Sequence, residues 1–98
     1  MEIDKKIEGK DIIIEVEGRV DTNTSPLLEN EITDIEKYEK LIFDFEKLEY
    51  ISSAGLRVLL AAQKRMNNIN GTMIVKNCNE SIMDIFDITG FSDILTIE

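Results

Sequence analysis

Short runs of apolar residues alternate along this chain with polar stretches that carry helical spacing. Met1 to Ile7 is brief and highly charged, which suits an edge strand. Ile12-Ile13-Ile14-Glu15-Val16 is β-branched and partly alternating, the pattern of a half-buried strand. Glu8-Gly9-Lys10-Asp11 between them reads as a hairpin turn, so the two strands are expected to pair antiparallel. Gly18 is expected to close the second strand, leaving a polar loop from Arg19 to Thr24. Ser25-Pro26 is a helix-start signal: Ser25 is biased away from helical angles, as an N-cap should be, and a proline in the first turn loses no needed N–H. Leu28, Ile32 and Ile35 then recur at helical spacing, with acidic residues on the other faces.

Leu41-Ile42-Phe43-Asp44-Phe45 predicts a central strand. Beyond Glu46 to Ile51, the residues Leu56, Leu59, Leu60, Gln63 and Met66 mark the inward stripe of a second helix ending near Asn70-Gly71. Thr72-Met73-Ile74-Val75 is a further core strand. Asn79 or Ser81 caps a third helix carrying Ile82, Ile85 and Phe86, and Gly90 stops it. Ile94-Leu95-Thr96-Ile97 reads as a short final strand. The order is β-β-α-β-α-β-α-β, an α/β domain with an N-terminal hairpin and then mostly parallel pairing through right-handed crossovers. A length of 98 residues fits one domain spanning 1–98.

Charge narrows the partners. Eleven basic residues against twenty acidic ones give a formal net charge of −9, a surface that repels nucleic acid and anionic lipid. No stretch approaches the ~20 apolar residues of a membrane span, and Met1 to Lys6 lacks the apolar segment of a secretion signal. The single cysteine, Cys78, has no partner for an intramolecular disulfide, which agrees with a reducing, cytoplasmic setting. With no histidine there is no Ser-His or Cys-His nucleophile pair and no His-containing zinc site. Asp21-Thr22-Asn23-Thr24-Ser25 imitates the start of a calcium loop but places Pro26 where the tight-turn glycine belongs and Ile32 where the bidentate glutamate belongs. No metal or cofactor is expected. Met66, Met73 and Met83 fit core filling, and Arg57, Lys64 and Arg65 the solvated face of the second helix.

In open α/β sheets, function gathers at the carboxyl ends of the parallel strands. Two loops qualify, Arg19 to Thr24 and Ile51 to Gly55, and parallel neighbouring strands would set them side by side. The second loop carries Ser52 and Ser53 at the start of a helix, followed by the small residues Ala54 and Gly55. A serine here has a purely structural reading as an N-cap worth ~1 kcal/mol, and Gly55 one as relief of crowding against a strand.

The segments Leu41-Ile42-Phe43-Asp44-Phe45 and Tyr50-Ile51-Ser52-Ser53-Ala54-Gly55-Leu56-Arg57-Val58-Leu59-Leu60 closely resemble the STAS domain of anti-sigma factor antagonists. Glu17-Gly18-Arg19-Val20-Asp21 is similar to that family's turn after its second strand, and Phe86-Asp87-Ile88-Thr89-Gly90-Phe91 to its helix ending. The resemblance implies a binding module and not an enzyme. Unphosphorylated members bind an anti-sigma factor that is also a serine kinase and so free the sigma factor. The kinase phosphorylates a serine at the helix entry and loses its grip, and a metal-dependent Ser/Thr protein phosphatase resets the system. Counting back from Gly55, the phosphoacceptor falls on Ser53. The residue before it is commonly Asp in the family and is Ser52 here, which leaves Ser52 as a rival acceptor. Asp21, Thr22, Asn23, Ser52, Ser53, Ala54, Gly55, Leu56 and Arg57 are the expected partner-binding residues. Asp21 has two readings, a steering charge for a basic partner group or a loop-capping residue before Ser25.

Three rival functions remain open to test. One is the same fold as a passive scaffold or sensory module, favoured by Ser52 in place of the customary Asp. Another is a hydrolase using Ser53, with Lys47 or Lys64 in the role of base. The last is an Asp-phosphorylated receiver, for which Asp21 stands without the acidic cluster required. Loss of the Ser53 hydroxyl is expected to cost ~1 kcal/mol as a lost cap.

Overall fold

The computed structural model describes all 98 residues. Strands β1 (Glu2–Glu8) and β2 (Asp11–Val20) form the expected antiparallel hairpin, in register from Glu2 opposite Glu17 to Glu8 opposite Asp11. Gly9, at φ +62°, opens the tight turn between them, a conformation that a side chain would strain. The chain continues through α1 (Ser25–Glu31), a 3₁₀ turn at Ile35–Lys37, β3 (Lys40–Asp44), β4 (Leu48–Ile51), α2 (Ser53–Asn68), β5 (Thr72–Lys76) and α3 (Glu80–Thr89). A second 3₁₀ turn, Phe91–Asp93, follows.

The sheet has five strands. β1, β2, β3 and β5 lie in that order, with β3 parallel to β2 and β5 parallel to β3, while β4 pairs with the far end of β2. Alternation along the strands turns Ile12, Ile14, Val16, Leu41, Phe43, Met73 and Val75 to one face. There they form one core with Leu28 of α1, Leu59 and Met66 of α2, and Ile82 and Phe86 of α3. All three helices therefore cover the same face. Each fully buried phenylalanine, Phe43, Phe45 and Phe86, contributes on the order of 1.5–3 kcal/mol by leaving water. The opposite face carries a row of Ile13, Ile42 and Ile74 in register, among Glu15, Asp44 and Lys76.

The α/β class stands, while several local expectations are corrected. Gly18 does not close β2. At φ +95° it marks an irregularity where the strand leaves β3 and takes up β4, with the Gly18 amide donating to the Lys47 carbonyl at 2.9 Å. The last two residues of β2, Arg19 and Val20, thus occupy what looked like loop, and the polar turn shortens to Asp21–Thr24. β4 was hidden because its four residues are buried at both ends, Leu48 and Ile51, instead of alternating. Its partner, residues 18–20 of β2, is distant in sequence.

The final strand shrinks to a single bridge, Ile97 beside Val75, because the turn at Phe91–Asp93 carries on past its end: Ile94 is helical at φ −96° and ψ −42°, and the Leu95 amide donates back to the Phe91 carbonyl at 2.9 Å. The cap of α1 lies one residue earlier than expected. Thr24 takes the N-cap position, Ser25 begins the helix as a buried residue, and Pro26 follows in the first turn. The helix ends at Glu31, and Ile32 and Ile35 reach the core from irregular turns. On α2 the inward stripe includes Val58 and Ala62, and Leu60 is only half-buried. Asn79, not Ser81, caps α3, its side chain accepting from the Ile82 amide at 2.9 Å, and Gly90 ends that helix in the left-handed conformation at φ +82°.

Candidate functional site

Parallel pairing of β2 with β4 sets Val20 beside Ile51, so the chain leaves both strands at the same rim. The Ser52 amide donates to the Val20 carbonyl at 2.8 Å and ties the two exits together. The side-by-side loops expected from sequence are therefore present, with β4 rather than β3 leading into α2.

At the mouth of α2 the two serines have different roles. Ser52 is the N-cap: its backbone is extended (φ −89°, ψ 175°), it is half-buried, and its Oγ accepts from the Gly55 amide at 3.4 Å. Ser53 is the first helical residue, is exposed, and its hydroxyl has no hydrogen-bond partner. The stability cost expected for Ser53 is corrected accordingly, because the cap belongs to its neighbour. Ser52→Ala is expected to destabilise the protein by about 0.5–1 kcal/mol, the low end for a cap with so long a bond. Ser53→Ala stays within ~0.5 kcal/mol of the parent, as a surface change should. Urea unfolding midpoints of the two variants check the order.

Ala54 is half-buried and Arg57 exposed, but Gly55 and Leu56 are buried and face inward, so they shape the site from below and offer little surface to a partner. A Cβ on Gly55 would lie 2.7 Å from both Ile51 Cγ1 and Val20 Cγ1. The crowding reading of Gly55 is the physical one: it lets the first turn of α2 rest directly on the ends of β2 and β4. The Arg57 Nε donates to the Ser53 carbonyl at 3.4 Å, folding the side chain back over the helix start.

On the neighbouring loop, Asp21 Oδ1 accepts from the Asn23 amide at 2.9 Å and the Thr24 amide at 3.0 Å, while Thr24 Oγ1 donates to the Arg19 carbonyl at 2.8 Å. Asp21 therefore orders the turn before α1. The Thr24 amide, then that of Asn23, and the nearby charge of Arg19 hold its carboxyl below the usual carboxylate range. Its folded-state pKa being depressed, its contribution is present above the ordinary carboxylate pKa and is lost on acidification through the lower folded value. Thr22 and Asn23 are exposed on the same rim.

Two features went unread in the sequence. Arg19 lies with its guanidinium 4.5 Å from the centre of the Tyr50 ring, a pairing created by the β2–β4 register. A shallow groove between α1 and α2, lined by Ser25, Glu29, Ala54, Arg57, Val58 and Arg65, begins one residue past Ser53. Spacing along α2 marks Ala54, Arg57, Val58 and Arg65 as one helical strip, but the facing residues come from a different element. Cys78 lies outside this rim. Burial, and then the charge of Asp44, push its thiol up to about 11, so it is almost entirely protonated at neutral pH. No helix is long and apolar enough to cross a membrane.

Comparisons with known proteins agree with this fold. A Bordetella bronchiseptica protein, BtrV, whose name marks it as a candidate anti-sigma factor antagonist, is 32% identical over 94% of this chain and 80% of its own length. The anti-sigma-B factor antagonist of Bacillus subtilis is 28% identical over 97% of this chain and 88% of its own. The Bacillus protein SpoIIAA, an anti-sigma factor antagonist solved in unphosphorylated and phosphorylated forms, superposes with a TM-score of 0.78 in each, at 15% and 16% identity. Those structures cover 99% of this chain, which covers 87% and 91% of theirs. The sequence model of the STAS domain matches residues 2–98, and the chain belongs to that family.

Proposed function

We propose that this protein is an anti-sigma factor antagonist that works by partner switching. In its unphosphorylated form it binds an anti-sigma factor that is also a serine protein kinase, which releases the sigma factor. Phosphorylation of Ser53 ends the association, and a metal-dependent Ser/Thr protein phosphatase restores it. The docking face is the rim formed by Asp21, Thr22 and Asn23 with Ser52, Ser53, Ala54 and Arg57, set on the buried pair Gly55 and Leu56.

One observation carries the reading: the Ser53 hydroxyl stands exposed and unbonded at the first position of α2, beside the Asp21–Thr24 turn. Such a hydroxyl can enter a kinase active site without breaking a native contact. Ser52 is the poorer acceptor, since its oxygen already serves the Gly55 amide. A phosphate adds about −1.5 to −2 charges and three acceptor oxygens, and a helix N-terminus favours an anion by ~0.3–1 kcal/mol. The fold therefore tolerates the modification, and its effect falls on a partner that would have to bury a hydrated dianion.

Incubation with the cognate kinase and ATP tests this. The expected result is a mass gain of one phosphate, mapped to Ser53 by peptide sequencing and absent from Ser53→Ala. Phosphate found on Ser52 alone overturns the assignment. No phosphate on either serine, with kinase binding retained, supports the scaffold reading that Ser52 in place of an aspartate favours.

A further inference from the structure

In a chain with nine more acidic than basic residues, two of the arginines near α2 are already engaged. Arg65 forms a two-pronged ion pair with Glu36 and also donates to the Thr33 carbonyl at 3.0 Å. Arg19 rests on the Tyr50 ring. Arg57 takes part in none of the five ion pairs of the protein, and its one hydrogen bond runs back to the Ser53 carbonyl. Glu29, on the far wall of the groove that Arg57 lines, makes no ion pair with it.

The placement follows from helix geometry. Residues four apart share a face with Cβ atoms about 5–6 Å apart, and helical side chains lean toward the N-terminus. Arg57 is thus the residue whose side chain lies over Ser53. Its guanidinium needs only to turn from the Ser53 carbonyl to meet a group on the Ser53 oxygen. An arginine fork can take two phosphate oxygens at once, where a lysine supplies a single point charge.

We infer that Arg57 is the built-in counterion of a phosphate on Ser53, holding it by two parallel N–H···O bonds at the head of the α1–α2 groove. The inference rests on the proposed phosphorylation of Ser53 and adds what fixes the phosphate once it is there. The charge then sits at a defined place on the docking rim instead of swinging on a free side chain. Arg57 acts here as a positioning residue and takes no part in the transfer chemistry.

The test uses full-length protein with phosphoserine installed at position 53 during translation, so kinase recognition plays no part. The phosphate's second ionisation, near pH 6 in an unperturbed phosphoserine, is followed by ³¹P NMR. An adjacent guanidinium favours the dianion and lowers this value, and the helix terminus lowers it in all variants alike. Arg57→Ala is expected to raise it by about 0.5–1 pH unit over the parent, the modest size reflecting an exposed pair. Arg57→Lys should recover less than half of that difference. Identical titrations of the parent and Arg57→Ala overturn the inference, and full recovery by Arg57→Lys overturns the two-pronged geometry. Failure of the kinase to modify Ser53 is read in the separate mass experiment and leaves this titration unaffected.

Discussion

Ser53→Asp is expected to fold as well as the parent and to bind the anti-sigma partner at least a hundredfold more weakly. Folding is spared because the residue is exposed and its hydroxyl holds nothing. An acidic side chain in the first turn also gains ~0.3–1 kcal/mol from the free amides there. Binding suffers because the charge lies within a rim that a partner must cover, and taking a carboxylate out of water is costly even beside a cation. A loss of about 2.8 kcal/mol corresponds to the hundredfold change. Calorimetric titration with the partner, alongside a thermal melt, separates the two effects. A folded Ser53→Asp protein that binds at full strength removes the switch from this serine.

The second large effect is structural. Gly55→Val should lower stability by about 3 kcal/mol, the upper range for overpacking a filled core. The new Cβ alone would stand 2.7 Å from Ile51 Cγ1 and Val20 Cγ1, and both are branch carbons close to their own backbone, with little freedom to swing aside. The ordinary helix gain on replacing glycine is under ~1 kcal/mol and does not offset this. For a domain of this size the expected drop in melting temperature exceeds ~10 °C. An unchanged midpoint would show that α2 does not rest on the ends of β2 and β4 as closely as described. Because Ser52 and Ser53 precede Gly55 on that turn, the variant should also disturb the rim.

These two outcomes separate Ser53 from Gly55, neighbours that look alike in the sequence as small residues at a helix start. Sequence reading placed both at the candidate site, and placed Asp21, Thr22 and Asn23 on a loop beside it. It did not tell surface from support. Gly55 and Leu56 point inward because α2 meets the sheet at that turn, and a one-dimensional pattern of small residues does not reveal which side the sheet is on. The cap was misplaced for a related reason. Both serines suit the N-cap position by residue type, and the choice of Ser52 follows from its extended backbone, held by its amide's bond to Val20.

Much was legible from neighbours along the chain. The hairpin, the central strands, the three helices and the glycine stop of α3 depend on spacing and capping within a few residues. The excess of acid and the lack of histidine likewise followed from composition alone. The tertiary structure decided what local pattern cannot carry: that β2 runs past Gly18 to pair with a four-residue β4, and that the last strand shrinks to one bridge. It also decided which serine is free. Such pairings join residues far apart in sequence, and their stability comes from the core that the whole chain builds.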